Sequence, residues 1–496
     1  MELSDTDRRL LLGLAALACL LPVAVALGPL QGIPHVSDEI AYTLQSRLLA
    51  AGARTGPGVD DPNLAAYPFW VPGPESHSPF PIGWPMLLAV GERLGVPWLV
   101  NPLLAALLPP LTFLTARAWS DDARLPRLAA LLVAASPGVW LLAASRMSHT
   151  SVLVALAIAL AAISTRRAWA AAGLALAYVV LARPFDGVLL GAPLVLWGLW
   201  RADTPTQRAT LVLLPLLGVF GTLLDNYAIT GDILRFPMNV YLDEMARPGC
   251  NRLGFGADVG CHATLGTIGH TPEKAAIFAG EAALRLDRML LGLPGGLIAA
   301  AAGAVLLWRR APLWIVPLVV LGYMLYWSPG RALGARFWHP LYLLLPALTA
   351  AGLLRLAGRA APVLALAAIG VGSARLQPEL ADKLWCVDRT LSDALEAEGI
   401  GDGVVFLRAG GVRETGWPLL GVPLFRCTAL LESGDAFLQT DPVSPNSGLR
   451  FRFALDDLDA TRNYMRTHHP GAPAWVVRHD VNADTREIIP LGVLAP

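Results

Sequence analysis

Long apolar runs separated by short basic connections dominate the chain from residue 11 onward. Residues 11–30, LLGLAALACLLPVAVALGPL, supply roughly 20 largely apolar positions, enough for a helix to cross a hydrocarbon core about 30 Å thick. The following stretch, 31–97, is rich in Pro and Gly and cannot be one span, although QSRLLAAG and GWPMLLAVGERLG inside it read as short interfacial helices. Apolar segments then recur near 98–117, 128–145, 148–165, 168–182, 184–200 and 209–228, and again near 289–308, 312–328, 337–354 and 360–374. A polar stretch, 229–288, separates the two groups. The pattern predicts a polytopic α-helical membrane protein with about 11 transmembrane helices over 1–375 and a small soluble domain over 376–496. In that tail, GVVFLRAG at 403–410 and APAWVVRHD at 472–480 read as strands and LDDLDATRNYMRTHH as a helix capped by an acid, so an α/β unit is expected. It carries no catalytic signature, and a packing or partner-binding role is assigned to it. No internal repeat is visible.

Composition agrees with this class. Hydrophobic residues make up 55% and charged residues 15% of the 496, and mean hydropathy is +0.52, whereas soluble domains carry about 25% charge. With 38 basic and 38 acidic residues, no net charge points to nucleic acid or an acidic partner. The first apolar run is longer than a signal peptide's usual core, so it reads as an uncleaved span with Arg8 and Arg9 on the cytoplasmic side. Alternate connections then hold Arg117, Arg124 and Arg127; Arg166 and Arg167; Arg201 and Arg208; Arg309 and Arg310; Arg355 and Arg359. That alternation obeys the positive-inside rule and places 31–97, 229–288 and the tail together on the outer face.

Cysteines fall accordingly. Cys250 and Cys261 lie in the second outer loop and Cys386 and Cys427 in the tail, where an oxidising compartment permits two local disulfides; four reduced, buried thiols are the alternative. Cys19 is left inside the first span.

Ionisable side chains at the outer surface carry the chemical information, because a charge near hydrocarbon costs about 2.5–3.5 kcal/mol even on a lenient scale. Asp38 and Glu39 follow the first span, His77 sits in ESHSPFPIGWP, Arg146 and His149 in SRMSHTS, and Arg183 and Asp186 in LARPFDG. Asp225 ends the span before the polar stretch, and Arg331, Arg336 and His339 lie in SPGRALGARFWHP. Arg146, Arg183, Arg331 and Arg336 defy the positive-inside bias and call for an anionic partner, which a lipid phosphate would supply.

These residues carry a family resemblance. An acidic pair after the first span, a Pro-rich segment before the second, many spans and a soluble outer tail resemble the GT-C glycosyltransferases, and most closely family 39 with its protein mannosyltransferases and lipid A aminoarabinose transferases. Asp38-Glu39 match the acidic motif, and His77-Ser78-Pro79 with Pro81-Ile82-Gly83 match the Pro-rich one. NYAITGDILRFPMNVY at 226–241 and RALGARFWHPLYLLLPAL at 331–348 look like late segments of bacterial members, with Phe337 or Trp338 where a Tyr is usual. The resemblance covers residues 10–375. It implies an inner-membrane enzyme of a bacterium whose active site faces the periplasm, as does its C-terminal domain. That enzyme would transfer a sugar with inversion from a polyprenyl-phosphate carrier to a lipid, glycan or protein acceptor. It also implies Asp38 as general base, with Glu39 orienting it, and outer Arg residues on the leaving phosphate.

Each residue has a plainer role beside this one. Asp38 fits an N-cap for the helix beginning EIAYTLQSRLL. His77 fits an exposed loop histidine as well as a metal or phosphate contact, and His149 a helix-end hydrogen bond as well as a metal ligand. Arg183 and Asp186 fit a local ion pair as well as a cavity role. A divalent metal stays open as a cofactor, but no tight His, Cys and Asp cluster demands one. Rival functions are a lipid-linked polysaccharide polymerase or ligase, a transporter or flippase, and an inactive scaffold. The lack of repeats and of midplane charges counts against transport.

Overall fold

The computed structural model describes residues 3–59, 64–65, 67–381, 387–410, 412–415, 425–428, 434–445, 447–455, 457–480 and 485–493. They form two compact units. One comprises Met1–Val25, Pro81–Trp84 and Trp98–Pro378; the other comprises Ala26–Phe80, Pro85–Pro97 and Glu379–Pro496. Most of the first loop is therefore gathered with the tail instead of with the apolar segments.

In chain order, α1 (Asp5–Leu27) precedes α2 (Ser37–Ala50), the short strands β1 (Gly56–Pro57) and β2 (Glu75–Ser76), and α3 (Gly83–Arg93). The first group of apolar segments forms α4 (Val100–Ala105), α5 (Leu108–Trp119), α6 (Arg124–Ala135), α7 (Pro137–Ala144), α8 (His149–Thr165) and α9 (Trp169–Ala182). A single turn, α10 (Pro184–Asp186), and a π-helical turn, Gly187–Gly191, lead into α11 (Ala192–Arg201) and α12 (Pro205–Thr230). Then come α13 (Pro237–Met245), α14 (Pro272–Leu291), α15 (Gly296–Leu307), α16 (Ile315–Met324), a 3-10 segment Arg336–Leu343, α17 (Leu345–Ala357) and α18 (Ala361–Ala381).

Every apolar segment expected from the sequence is helical. Among the described residues, four helices are long and apolar enough to cross a membrane, or six if two bent pairs each count once; α8, α9 and α16 are apolar but shorter. The chain is a multi-pass membrane protein. Its α12 shows the matching surface, with Leu213, Leu217, Phe220 and Leu224 exposed and spaced along the helix where lipid would lie.

Three expectations are corrected. The polar stretch 229–288 is not loop throughout, because α13 and most of α14 lie in it; α14 alternates charged and apolar residues and meets α15 at 87° across Gly292–Gly295. Helix α18 runs to Ala381, beyond the expected end of the last apolar segment. The helix containing QSRLLAAG does not spend its apolar face on lipid: Ile40, Leu44 and Leu48, one stripe at four-residue spacing, are buried against Val387, Leu391, Val405 and Phe437 within the second unit. By contrast α3 does expose apolar residues, Met86 and Val90, with Leu94 just past its end.

In the first unit, α15 packs along α17, and α9 packs on both α8 and α12. Small residues make these crossings close, as expected where helices gain little from excluding water. A Cβ at Gly303 would stand 1.8 Å from the Leu348 carbonyl oxygen, and one at Gly352 1.9 Å from that of Ala299. The α9–α12 crossing repeats the device at Gly218, where a Cβ would be 2.1 Å from the Ala177 oxygen.

The second unit adds α19 (Thr390–Ala397), β3 (Gly403–Gly410), β4 (Val412–Thr415), β5 (Phe425–Thr428), β6 (Leu449–Phe453), β7 (Pro473–Asp480), β8 (Thr485–Val493) and two further helices, Gly434–Gln439 and Leu458–His468. Four strands form a sheet in the order β6-β3-β7-β8, with β3 parallel to β6 and β7, and β8 antiparallel to β7. Alternate residues of β3 face opposite sides: Val405 and Leu407 join the α2 core, Val404 and Phe406 the core around Met465. Asp457 caps its helix by accepting from the Ala460 amide at 2.6 Å. Cys250 and Cys261 form a disulfide, and Cys19 is a free thiol. Cys386, expected to pair with Cys427, lies outside the described residues, as does the Cys427 side chain.

The glycine crossings yield a test. Gly352→Val is expected to lower the detergent-solubilised protein's stability by about 1–3 kcal/mol, the usual cost of overpacking, whereas Gly370→Val, where a Cβ meets nothing within 4 Å, is expected to be neutral. Equal melting temperatures for both variants would contradict the packing described.

Candidate functional site

Four helix ends of the first unit converge on Arg183. It terminates α9, where Pro184 stops the helix, and its guanidinium is almost wholly engaged: Nε donates to Asp186 Oδ2 at 2.5 Å, Nη2 donates to the Tyr323 hydroxyl at 3.0 Å, and Nη1 lies 3.0 Å from His149 Nε2. Tyr323, near the end of α16, donates in turn to Asp186 Oδ1 at 2.7 Å. His149 opens α8 and Asp186 closes the single turn α10. Asp186 is 1% exposed and His149 4%, so these charges and dipoles must satisfy one another.

Aromatic rings cover this group. Phe337 stacks on Tyr323 at 5.1 Å between centroids and 9° between planes. Arg336 lies 5.2 Å from the Phe337 centroid and Arg183 6.0 Å, so one ring face region serves two cations. Buried His339, three residues beyond Arg336, packs its ring on Tyr342. Arg146, 9% exposed, sits in the turn between α7 and α8. That turn is pinned through its backbone: Trp84 Nε1 donates to the Arg146 carbonyl at 2.8 Å, and Asn101 Nδ2 to those of Ser145 and Met147 at 2.7 and 2.8 Å. Gly83, from the Pro-rich motif, passes so close to the end of α9 that a Cβ would be 2.6 Å from the Ala182 nitrogen.

Arg331 and Arg336, paired by sequence spacing, part company. Arg331 makes a two-pronged pair with Glu281 of α14, both contacts at 3.0 Å, and lies 5.5 Å from the Phe278 ring. Arg285, one helical turn on, reaches the same carboxylate at 3.4 Å. Between these groups and Tyr323 and Phe337 is a small cavity lined by Arg285, Gly330 and Gly334.

The acidic motif is built separately, inside the second unit. Helix α2 begins at Ser37, with Val36 as N-cap, so Asp38 does not cap it. Glu39 does that work: its buried carboxylate reaches back to accept from the amides of His35 and Val36 at 3.0 and 3.1 Å. Asp38 stands half-buried in the first turn, where the helix dipole favours an anion. Its charge is felt at buried Tyr67, whose hydroxyl is pushed well above the usual phenol range by burial first, then by Asp435 and Asp38. The Pro-rich motif is tied to the same helix: Ser78 donates its amide to Gln45 Oε1 at 2.9 Å, and the Tyr42 and Phe80 rings lie 4.6 Å apart. His77 pairs its backbone with Val71 and sets Nδ1 3.0 Å from the Glu75 carbonyl.

The structure therefore gathers Arg183, Asp186, His149 and Arg336 around Phe337, and holds Asp38, Glu39 and the His77 segment around α2. Asp225 is buried in α12, beside Asn226, which donates to the Ile233 carbonyl at 3.0 Å. Among the described residues, no three His, Cys, Asp or Glu side chains are grouped to hold a metal. Sequence reasoning passed over Tyr323, Glu281, Arg285, Asn101 and Trp84. A Tyr in an apolar helix and a Glu and Arg four apart on an amphipathic one were the only available signals.

This arrangement of helices is also found among solved membrane proteins. The chain superposes on ArnT from Cupriavidus metallidurans, in the apo state and bound to undecaprenyl phosphate, with a TM-score of 0.51 and 14% identity in each case, over 98% of this chain and 99% of that one. The archaeal oligosaccharyltransferase AglB from Archaeoglobus fulgidus, in complex with an inhibitory peptide and a dolichol-phosphate, aligns at a TM-score of 0.40 and 12% identity, over 94% of this chain and 59% of that one. No protein-family model and no curated protein sequence matches the chain.

The Arg183 group should behave as one unit. Asp186→Asn leaves a buried cation under-compensated and is expected to cost about 3 kcal/mol, the order seen when one partner of a buried pair is removed. Tyr323→Phe is expected to cost about 1–2 kcal/mol. The double variant should fall clearly short of the sum, because both residues serve the same guanidinium; strict additivity in unfolding of the solubilised protein would contradict a shared network.

Proposed function

We propose that this protein is a membrane glycosyltransferase that moves a sugar from a polyprenyl-phosphate carrier to an acceptor hydroxyl on a lipid, glycan or protein. The observation that carries this reading is the likeness of fold to ArnT over 98% of the chain, one of whose structures holds undecaprenyl phosphate. The acceptor oxygen attacks the sugar C1, the C1–O bond to the phosphate breaks, and the electron pair leaves with the polyprenyl phosphate. Asp38 takes the hydroxyl proton. Glu39, fixed by two backbone amides, holds the first turn of α2 so that Asp38 has one orientation.

Arg336, Arg146 and Arg331 receive the phosphate charge as it develops, and Arg183 frames them by holding His149, Asp186 and Tyr323 in place. The reaction faces the periplasm of a bacterial inner membrane, with the N-terminus in the cytoplasm. His77, His149 and Asp225 are assigned to substrate contact or to the walls of the site. Inversion needs one base and no carboxylate nucleophile.

The test is transfer of radiolabel from a panel of polyprenyl-phosphate sugars by the purified full-length protein. Wild type is expected to label an acceptor, and Asp38→Asn to do so about a hundredfold or more slowly, the order contributed by a general base. Equal rates would remove Asp38 from that role. Failure with every donor would overturn the enzyme reading.

A further inference from the structure

The Glu281 carboxylate lies where a substrate anion would. Its two oxygens each meet Arg331 at 3.0 Å, and Oε2 is also 3.4 Å from Arg285 Nη2. This is the geometry with which a phosphate engages guanidinium groups. Two cations share one carboxylate, so the group keeps one positive charge in excess. Arg285 is 3% exposed; its hydrogen bonds to Glu281 and to the Arg331 carbonyl are both 3.4 Å long. Its Nε meets no hydrogen-bond partner among the described residues. A buried, always-charged guanidinium satisfied this poorly is costly and marks an anion site that is underfilled.

The cavity beside it sharpens the point. It offers about 20 Å³, room for one water-sized group and too little for a phosphate. Its wall is the loop that carries Gly330 and Gly334, both with positive φ, at 59° and 84°. Side chains there would strike Phe337 and Met289, a Cβ at either glycine lying 2.3 Å from them. Arg285 itself lines this cavity, so an entering phosphate that displaced Glu281 would meet both guanidiniums. Glu281 is free to swing out: it is 21% exposed as a side chain and sits on α14, which turns 87° from α15.

We propose that Glu281 is a resident stand-in for the donor phosphate: it preorganises Arg331 and Arg285 while the site is empty, and the phosphate monoanion or dianion of a polyprenyl phosphate displaces it. This rests on the glycosyltransferase reading for the identity of the anion. It adds that Glu281 sets the affinity and keeps out weaker anions, since any entrant must compete with a tethered carboxylate. Glu281 touches no reacting atom; it is a specificity-determining residue.

Binding, measured apart from transfer, tests this. Full-length protein in lipid nanodiscs is titrated with undecaprenyl phosphate, with inorganic phosphate, and with undecaprenol as the uncharged lipid. Glu281→Gln, which removes the competing charge and keeps most of the shape, is expected to bind undecaprenyl phosphate about tenfold more tightly, the order expected when one competing charge beside two guanidiniums is removed. It should also gain measurable affinity for inorganic phosphate, and undecaprenol should bind both proteins alike. Arg331→Ala should abolish the gain in the Glu281→Gln background. Unchanged or weaker binding by a Glu281→Gln protein that melts like wild type would overturn the proposal, since a purely structural glutamate gives that result.

If Glu281→Gln does not fold, the wild-type protein solved with undecaprenyl phosphate decides. A phosphate between Arg331 and Arg285 with Glu281 turned away is expected, and a retained Glu281–Arg331 pair with the phosphate elsewhere would overturn it. A protein that binds undecaprenyl phosphate in this way yet transfers no sugar would contradict the enzyme reading while leaving the Glu281 exchange standing.

Discussion

A guanidinium buried among apolar helices must find acceptors or leave the helices unpaired, and the first unit is organised around that demand at Arg183. Asp186, Tyr323 and His149 surround it at 2.5–3.0 Å, and each comes from a different element. Removing a charge from water costs several kcal/mol, which only well-aimed partners offset. The ends of α8, α9, α10 and α16 are thereby held at one place. Pro184 ends α9 at the right residue, and the π-helical turn that follows re-aims the chain into α11.

Close helix crossings give that cluster a rigid base. Gly173 and Gly218 let α9 and α12 approach until backbone atoms touch, and Gly303 and Gly352 do the same for α15 and α17. The rings of Tyr323 and Phe337 then divide the cations into two groups. Arg183 and Arg336 lie by Phe337, whereas Arg331 and Arg285 turn toward Glu281 and Phe278. The cations thus stand in a fixed frame around Arg183 on one side and beside the Glu281 carboxylate on the other.

Much of this was legible in the sequence because membrane helices advertise themselves through length and apolarity. Each apolar segment became helical, some as two shorter helices, and the Arg183–Asp186 and Cys250–Cys261 pairs formed over spacings of three and eleven residues, short enough to read locally. Long-range pairings were not legible: Tyr323 meets Asp186 across 137 positions and Arg331 meets Glu281 across 50. Helix α14 was missed since its charges made the stretch look like loop. The role of α2 was misread since an apolar stripe looks the same whether lipid or a protein core covers it. Glu39, not Asp38, completes the capping of that helix, because the chain enters it two residues earlier than an Asp38 N-cap implied.

The capping duty expected of Asp38 belongs to its neighbour Glu39, and the charges of Asp38 and Asp435 both act on the buried Tyr67 within the second unit. In the proposed reaction, a single displacement at the sugar carbon requires one base and no second nucleophile. The stereochemistry of transfer tests that most directly. With a donor of known anomeric configuration, NMR of the glycosylated product should show the opposite configuration at C1, and retention would contradict the account.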